Sequence, residues 1–327
     1  MNVEVLTMYV CAKCGGKLTV QDGAANSTDD EIIEGGLVCT DCTKTYIVKN
    51  GIPRFVPAEN YAGSFGYQWN IHRETQLDSY TGRTISRDRL FGVSGWPERM
   101  TDQTILEAGS GSGRFTEVLT STGATIYSFD LSSAVDANWK NNGRRKNLNL
   151  FQGNIYSLPL RKRSFDKVMC LGVIQHTPDP ERTFRSLTEY VRPGGDLVID
   201  IYGKSFVSLL HWRFLFRPVT KRMNKELLYK LISVGVPVLL PLAILLRKVA
   251  GRLGARLMPI SEYSNLGLPY ELNKQWAILD TFDMYSPAHD HPQTMHTVKR
   301  WFEEAGFIDI FVGRGPNGII ARGKRPA

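Results

Sequence analysis

A glycine-rich turn followed by a carboxylate is the segment of this sequence whose residue types best suit the binding of a nucleoside. Gly109, Gly111 and Gly113 follow a short apolar strand and open the next helix. Glycine lets the backbone approach a ligand closely, and the N–H groups at a helix start favour an anionic group there. Asp130 lies 17 residues past Gly113 and closes the next apolar run, where a carboxylate can hold ribose hydroxyls. The sequence therefore predicts a nucleoside-binding crevice.

The spacing of the glycines distinguishes this turn from the turns that bind nicotinamide dinucleotides. The dinucleotide fingerprint G-x-G-x-x-G needs a small residue at position 114, which is Arg114 here. Glu107, at the end of the preceding strand, adds a second carboxylate that we expect to face the turn. A tight turn that binds no ligand is the alternative interpretation of the same glycines.

Six motifs occur in the order typical of one enzyme family, and they are segments 107–113, 129–132, 152–160, 165–168, 173–177 and 191–197. In these motifs the chain resembles the class I S-adenosylmethionine-dependent methyltransferases, in particular the quinone-biosynthesis-like branch. The resemblance covers residues 101–202 and resumes at Val298. It implies an α/β fold with a doubly wound, mostly parallel, seven-stranded Rossmann-like sheet, and S-adenosylmethionine as the cofactor.

The resemblance also implies which residues bind the cofactor. The glycines would hold its methionine part, Asp130 its ribose, and Asn154 with Ile155 its adenine. The family usually has Asp at position 154, but an Asn carbonyl can still accept from the adenine amino group. The predicted cofactor-binding residues are Glu107, Gly109, Ser110, Gly111, Gly113, Asp130, Leu131, Asn154, Ile155 and Leu171.

Four of the five cysteines form two knuckles, Cys11-x-x-Cys14 and Cys39-x-x-Cys42, separated by 24 residues. Paired knuckles suit a tetrahedral zinc site with four thiolate ligands. A disulfide interpretation is disfavoured because residues 1–10 lack the basic start and apolar stretch of a secretory signal. The other alternative is a remnant of a zinc site that no longer binds metal.

Residues 1–57 resemble the small zinc-binding proteins that activate tRNA and release-factor methyltransferases, here fused in cis. So short a segment buries little core by itself, and structural zinc would stabilise it. A closed site with four thiolates leaves no open position for catalysis. Cys170 lies in an apolar strand pattern, and we expect it in the core.

Alternating patterns predict strands at 104–108, 125–129, 148–152, 165–171 and 196–202 with helices between them, and a terminal hairpin at 307–312 and 318–322. The alternation predicts a parallel sheet with helices on both faces. The aromatic residues of the preceding linker predict either a lid over the cofactor or packing against the next domain. They are Tyr61, Phe65, Tyr67 and Trp69. The predicted organisation is a zinc ribbon at 1–57, a linker with helices at 58–100, the cofactor-binding core at 101–202, an insertion at 203–284 and the end of the core at 285–327.

The insertion is both basic and apolar. Residues 204–258 hold 11 Lys or Arg and one acidic residue, a net charge of 11 − 1 = +10, whereas the whole chain carries +8. Residues 231–246 contain no charge but contain two prolines, and this run is shorter than the about 20 residues of a spanning helix. The apolar side chains that precede the run are Phe206, Leu209, Leu210, Trp212, Phe214, Leu215 and Phe216.

These features favour an element that lies on an anionic membrane surface, with the cations toward the lipid headgroups and the apolar side chains inserted. A basic patch for nucleic acid and a helical cap or dimer face are the alternatives. RNA would use the charge but not a long aliphatic run, since single-strand recognition depends on exposed aromatic side chains.

Two histidines are candidate catalytic residues. His176 follows the fourth predicted strand of the core, at the edge where the methyl group would lie, and a neutral imidazole can take a proton from a hydroxyl. A role in bracing the loop is its alternative. His291 belongs to a cluster with Tyr285, His289, Asp290 and His296, which could contact substrate, relay a proton, cap a loop or bind a metal.

We interpret the chain as a cytoplasmic methyltransferase attached peripherally to the inner face of the membrane. Its acceptor would be a small lipid-linked or membrane-resident molecule, such as a quinone precursor or a lipid-linked saccharide, and oxygen the acceptor atom. An RNA methyltransferase that uses the ribbon and the insertion to bind RNA is one alternative. A non-catalytic adaptor that binds the cofactor is another.

Overall fold

The computed structural model describes residues 1, 3–21, 31–57, 59–204 and 212–327. Eleven strands of these residues form one sheet: β1 Leu18–Val20, β2 Gly35–Cys39, β3 Thr45–Lys49, β4 Ile52–Arg54, β5 Thr104–Ala108, β6 Thr125–Asp130, β7 Leu148–Gln152, β8 Phe165–Leu171, β9 Val191–Ile201, β10 Ile308–Gly315 and β11 Gly318–Lys324. Its helices are Gly63–Ile71, Asp78–Thr81, Ile85–Ser94, Arg114–Thr120, Ala134–Asn142, Pro180–Thr188, Trp212–Thr220, Lys225–Arg256, Tyr270–Tyr285 and Met295–Glu304.

The strand order is β1-β2-β3-β4-β7-β6-β5-β8-β9-β11-β10. Parallel pairing runs from β4 through β9, while β11 lies antiparallel between β9 and β10. The strand order reverses beside β5, and ligands of doubly wound sheets bind beyond the carboxyl ends of the strands at that point. The predicted fold class is confirmed, and the seven predicted strands are β5 to β11.

Apolar cores cover both faces of β5 to β11, because successive side chains of a strand point to opposite faces. Ile105 packs in one core and Leu106 in the other. The helices whose buried side chains join Ile105 are Ile85–Ser94, Arg114–Thr120 and Ala134–Asn142. Those on the face of Leu106 are Pro180–Thr188 and Met295–Glu304. The sheet edge that carries the glycine turn is thus supported from both sides.

The N-terminal strands extend the main sheet to eleven strands, four more than predicted. β4 pairs in parallel with the edge strand β7 through Arg54 and Gln152. The Phe55 N–H donates to the Gln152 carbonyl at 2.9 Å, and the Arg54 guanidinium lies 2.5 Å from the Asp136 carboxylate. An edge strand has unpaired backbone groups, and the N-terminal segment covers them here.

The N-terminal segment also shares a hydrophobic core with the main sheet. Phe55 stacks on Tyr9 with a centroid distance of 5.8 Å and meets Phe151 of β7 edge-on at 6.2 Å. Tyr46 lies 4.8 Å from Phe55 in the same cluster. Cys170 is fully buried there, as predicted. The ribbon therefore does not depend on its own few residues for a core.

The charge-free run of the insertion forms the middle of one helix, Lys225–Arg256, which we call the insertion helix. The helix continues through Pro237 and Pro241 and departs from helical geometry only at Ala250 and Gly251. Each proline removes one backbone hydrogen bond, and burial of apolar side chains against helix Tyr270–Tyr285 compensates. By length and composition the whole insertion helix of 32 residues could cross a membrane, although the charge-free run inside it is shorter than a spanning helix.

Packing divides the insertion helix into two faces. The buried face consists of Leu228, Ile232, Val236, Leu240 and Ala243. The opposite face is apolar as well but exposed, and it consists of Leu227, Leu231, Val234, Val238, Leu242, Leu245, Val249 and Leu253. We call these eight residues the exposed stripe. Phe206, Leu209 and Leu210, which were expected beside it, lie outside the described residues.

Candidate active site

A cavity of about 1820 Å³ opens at the carboxyl ends of the parallel strands. Gly109, Asp130, Gly172 and Tyr202 line it, and each ends or directly follows β5, β6, β8 or β9. The insertion, helix Tyr270–Tyr285 and the β10–β11 turn contribute the other walls. Small-molecule sites usually measure about 300–1,000 Å³, so this cavity has room for a cofactor together with a second molecule.

The glycine turn forms one wall of the cavity at the positions predicted from the sequence. Gly109 and Gly111 have positive φ angles of +76° and +53°, a region that side chains disfavour. A Cβ on Gly109 would lie 2.3 Å from Val173, and one on Gly111 would lie 3.1 Å from the Trp69 indole. The backbone is therefore tightly enclosed, and only glycine fits at position 109.

Asp130 faces the cavity from the end of β6. Its Oδ2 accepts from the Gly111 N–H at 3.0 Å, and its Oδ1 accepts from the backbone N–H and the hydroxyl of Ser132. Burial raises the pKa of this carboxyl above its usual value. The carboxylate is thus fixed in orientation against the glycine turn, and its oxygens have further lone pairs for a diol.

Seven of the ten predicted cofactor-binding residues line the cavity: Gly109, Ser110, Gly111, Asp130, Leu131, Ile155 and Leu171. The structure places the other three beside it. Gly113 has no room for a side chain, since a Cβ would lie 2.2 Å from the Asn138 amide oxygen. The Asn154 side chain accepts from the Tyr156 N–H at 3.0 Å.

Glu107 points into the core beneath the turn instead of into the cavity. Its Oε2 accepts from the Thr116 and Ser128 hydroxyls at 2.6 and 2.7 Å. Burial raises the pKa of this carboxyl to about 7. Because Thr116 belongs to the helix that follows the glycines, Glu107 fastens that helix to β5 and β6.

Aromatic residues of the linker helix Gly63–Ile71 and the segment before it form a second wall. Tyr61, Phe65 and Trp69 line the cavity, whereas Tyr67 packs with Tyr229 of the insertion helix. Both predicted roles of these aromatics, covering the cavity and packing between parts of the chain, therefore occur in one segment.

His176 lies between the glycine turn and the insertion and lines the cavity. Its Nδ1 is 3.1 Å from the His289 carbonyl oxygen, which can only accept, so Nδ1 carries the proton in this hydrogen bond. The ring also packs against Phe65 and Tyr202. Its Nε2 is buried and has no partner among the described residues.

The second histidine cluster is mostly turned away from the cavity. The His291 ring stacks on His289, its backbone N–H donates to Gln175, and His291 is not among the cavity-lining residues. Asp290 pairs with the Arg217 guanidinium at 2.7 Å. Among the described residues these side chains form no group that could hold a metal, and His296 lines the cavity near the Thr294 end.

The sequence analysis missed a pair of acidic residues on helix Tyr270–Tyr285. Asp280 and Asp283 both line the cavity. Asp280 accepts from the Tyr263 hydroxyl and from Gln76, and burial raises its pKa to about 6. Asp283 accepts from Gln68 at 3.3 Å. Their spacing of three residues places both side chains on one helical face. Nothing in the sequence showed that this face meets the strand ends.

The four N-terminal cysteines come together at the far end of the ribbon. Their sulfurs all lie within 4.8 Å of one another, with Cys11 and Cys42 3.6 Å apart and Cys14 and Cys39 3.5 Å apart. Zinc–sulfur bonds of about 2.3 Å in a tetrahedron separate the sulfurs by about 3.8 Å, so the cluster fits a four-thiolate zinc site.

Residues 106–199 match the family model described as a methyltransferase domain. Over 109 residues the chain is 28% identical to a ubiquinone biosynthesis O-methyltransferase of Coxiella burnetii, covering 33% of this chain and 47% of that protein. Over 110 residues it is 30% identical to phosphoethanolamine N-methyltransferase 2 of Caenorhabditis elegans, covering 32% and 25%. A solved SAM-dependent methyltransferase from Aquifex aeolicus aligns with 12% identity and a TM-score of 0.42, over 80% of this chain and 97% of that one.

The chain thus contains a segment similar to a methyltransferase domain, and this segment spans most of β5 to β9 and the helices between them. The chain spans about half the length of the ubiquinone-pathway relative that it matches. The matched segment includes the glycine turn and Asp130, while the ribbon and the insertion lie outside it.

Proposed function

We propose that the protein is an S-adenosylmethionine-dependent methyltransferase that works at a membrane surface. It transfers a methyl group to an oxygen atom of a small lipid-linked or membrane-resident acceptor, such as a quinone precursor or a lipid-linked saccharide. The observation that most directly supports this proposal is one continuous cavity that runs from the glycine turn to the insertion. One wall suits a nucleoside, and another belongs to the segment that exposes the stripe.

The residues around the glycine turn fit the cofactor. The backbone at Gly109, Ser110 and Gly111 would hold its methionine part, and Asp130 its ribose diol. Leu131, Asn154, Ile155 and Leu171 would surround the adenine, while Glu107 and Gly113 maintain the turn from behind. When bound, the cofactor supplies a methyl group on a positively charged sulfur. The protein then contributes mainly orientation of the acceptor and exclusion of water.

His176 is our candidate for the general base. Since its Nδ1 donates to the His289 carbonyl, the neutral ring presents the Nε2 lone pair, which is buried and has no partner in the part of the chain that the structure describes. This arrangement suits removal of a proton from an acceptor hydroxyl. A catalytic role for His291 stays a prediction, and its position supports a part in holding the loop that orients His176.

The ribbon is proposed to hold one structural zinc ion through Cys11, Cys14, Cys39 and Cys42. Closed coordination gives the metal no site for substrate, so its function is to fix the ribbon against β7. Metal analysis of the purified protein should find about one zinc per chain, and replacing Cys14 and Cys42 with Ser should remove it. A protein without metal and with unchanged thermal stability would contradict this assignment.

The exposed stripe supports a peripheral membrane location at the inner face. Val234, Val238 and Val249 are 71%, 73% and 77% exposed, and the stripe runs along the whole insertion helix. A contiguous apolar face of this length marks an interaction surface. Residues 204–258, which include the insertion helix, have a net charge of +10, which favours an anionic lipid surface, and the opposite helix face is packed on the protein.

Incubation of the protein with a methyl-labelled cofactor and a membrane extract tests the function. The label should enter the lipid fraction and stay out of the RNA and protein fractions. Label in RNA would establish the alternative of an RNA methyltransferase. Absence of label from every fraction, with the cofactor bound, would favour a non-catalytic binding protein.

Replacement of His176 with Ala tests the base. The expected loss of turnover is about 10²- to 10⁴-fold with cofactor affinity unchanged, the usual contribution of a general base. The matched variant is Asp280→Asn, which changes the opposite wall of the cavity. A wild-type rate for His176→Ala together with a large loss for Asp280→Asn would transfer the role to Asp280.

A further inference from the structure

We propose that the cavity has a subsite for a phosphate or diphosphate group of the acceptor, formed by Arg252, Arg256, Arg314 and Lys204. The inference rests on the proposed function, because it names the chemistry of the second molecule in the methyltransferase cavity. All four cationic residues line the cavity, and all four are exposed, so we assign them to its opening.

Three inner arginines of the cavity have acidic partners, whereas Arg114 donates to the neutral side chains of Ser86 and Gln76. Arg89 lies 2.6 Å from Asp200, Arg217 lies 2.7 Å from Asp290, and Arg247 pairs with Glu262. These pairs neutralise the inner walls, since burying a charge without a partner is costly. Arg89, Arg217 and Arg247 are therefore structural and are not free for a ligand.

The four cations at the opening differ from the inner arginines in their partners. Arg252, Arg256, Arg314 and Lys204 form no salt bridge with a residue in the part of the chain that the structure describes. Of the acidic residues that line the cavity, Asp88 is the exposed one, and it accepts from the Thr84 hydroxyl. The exposed part of the cavity lining thus has four of these cations and one carboxylate, an excess of positive charge.

The backbone directs two of these arginines toward the same spot. Arg252 and Arg256 are four residues apart, which places their side chains on one face of the last helical turn. Ala250 and Gly251 interrupt the helix just before them, and Gly251 has a φ of +57°. The turn that follows the interruption lines the cavity through Arg252, Ala255 and Arg256.

Arginine pairs suit a phosphate better than a single negative charge. A guanidinium binds phosphate oxygens in a bidentate manner, and several guanidinium groups together match a group with two or more charges. The subsite lies at the end of the insertion helix, so the headgroup of a lipid held beside the stripe could reach it. The same chemistry would also accept a soluble phosphate ester.

Calorimetry with inorganic diphosphate tests the subsite in the full chain saturated with S-adenosylhomocysteine. Wild type should bind diphosphate, and Arg252→Gln/Arg256→Gln should bind it at least about tenfold more weakly. The matched control is Arg144→Gln/Arg145→Gln, which removes the same charge from exposed positions that do not line the cavity. An equal loss in the control, or no binding to wild type, overturns the proposal.

A second arm distinguishes the sources of the phosphate. Phosphatidylcholine vesicles with and without a long-chain polyprenyl diphosphate are mixed with the same three proteins. Capture that depends on the diphosphate and on both arginines supports a lipid headgroup, whereas diphosphate binding in solution alone supports a soluble phosphate ester. S-adenosylhomocysteine affinity is measured in parallel, and its loss in wild type would count against the proposed function rather than against the subsite.

Discussion

The two additions to the methyltransferase domain, the N-terminal ribbon and the insertion, differ in how much of their apolar surface is buried. The ribbon buries Tyr9 and Phe55 in the same core as Phe151 and adds its strands to the sheet. The insertion has a separate core and leaves the exposed stripe uncovered. This contrast indicates that the ribbon stabilises the domain, whereas the insertion presents a surface to something outside it.

The location of each addition agrees with this difference. The ribbon joins β7, whose carboxyl end leads through Gly153 to the predicted adenine-binding residues Asn154 and Ile155. The insertion follows β9 in the sequence and lines the cavity through Arg247 and Arg256, where we propose that the acceptor binds. Changes in the ribbon should therefore affect folding and cofactor binding, and changes in the insertion should affect membrane and acceptor binding.

Replacing Phe55 with Ala should produce the largest effect on stability. The side chain is 8% exposed and contacts three other aromatic rings, so we expect the free energy of unfolding to fall by about 3–5 kcal/mol. Denaturant unfolding measures it. The control is Ile47→Ala, an apolar ribbon residue that is 68% exposed and should change stability by at most about 0.5 kcal/mol. Equal effects would show that the ribbon does not share the core.

Polar substitution of the exposed stripe should weaken membrane binding and leave stability nearly unchanged, the reverse of the effect expected for Phe55→Ala. Val234→Gln/Val238→Gln should leave the unfolding free energy within about 0.5 kcal/mol for each residue. Flotation with anionic vesicles should weaken at least about tenfold, because a buried valine contributes about 1.5–3 kcal/mol. Ile47→Gln is the control for exposed apolar residues elsewhere. Vesicle binding that persists in the double variant, or is missing in wild type at low salt, would contradict the proposal that the exposed stripe binds a membrane.

A smaller effect concerns the acid sensitivity of the insertion. Burial lowers the pKa of His72 to about 4, and its Nε2 lies 2.9 Å from the hydroxyl of Tyr229 on the insertion helix. As the pH falls, the unfolded state takes up a proton on His72 before the folded state does. The stability that the neutral His72 contributes to the folded state is therefore complete above about pH 6.5 and is lost toward pH 4. His72→Gln should reduce the loss of unfolding free energy between pH 7 and pH 5.5 by about 1 kcal/mol. An unchanged pH profile of unfolding would contradict this assignment.

Local sequence patterns predicted the parts of the fold that depend on neighbouring residues. β5, β7 and β8 have the predicted bounds, and the positive φ angles at the glycine turn follow from the residue type. The cysteine cluster followed from spacing as well. The fifth predicted strand begins earlier than expected, at Val191, because Val191 pairs with Phe165 of β8 and an irregular register over the Pro-Gly-Gly segment connects this pair to Asp196.

Long-range packing produced the features that the sequence did not reveal. One residue pair, Arg54 with Gln152, joins the ribbon to the main sheet across almost 100 positions, and no local pattern marks it. Glu107 was expected to face the turn, yet alternation along β5 directs it into the core. Asp280 became a site residue only because its helix packs across the strand ends.

Calorimetry with S-adenosylhomocysteine on wild type and Gly109→Ala tests the central claim, that the glycine turn and Asp130 bind the methyl donor. Wild type should bind one molecule per chain. Gly109→Ala should bind it at least about tenfold more weakly, since the new Cβ would meet Val173 at 2.3 Å in a backbone conformation that disfavours side chains. No heat with wild type, or equal affinity in both proteins, would contradict the account.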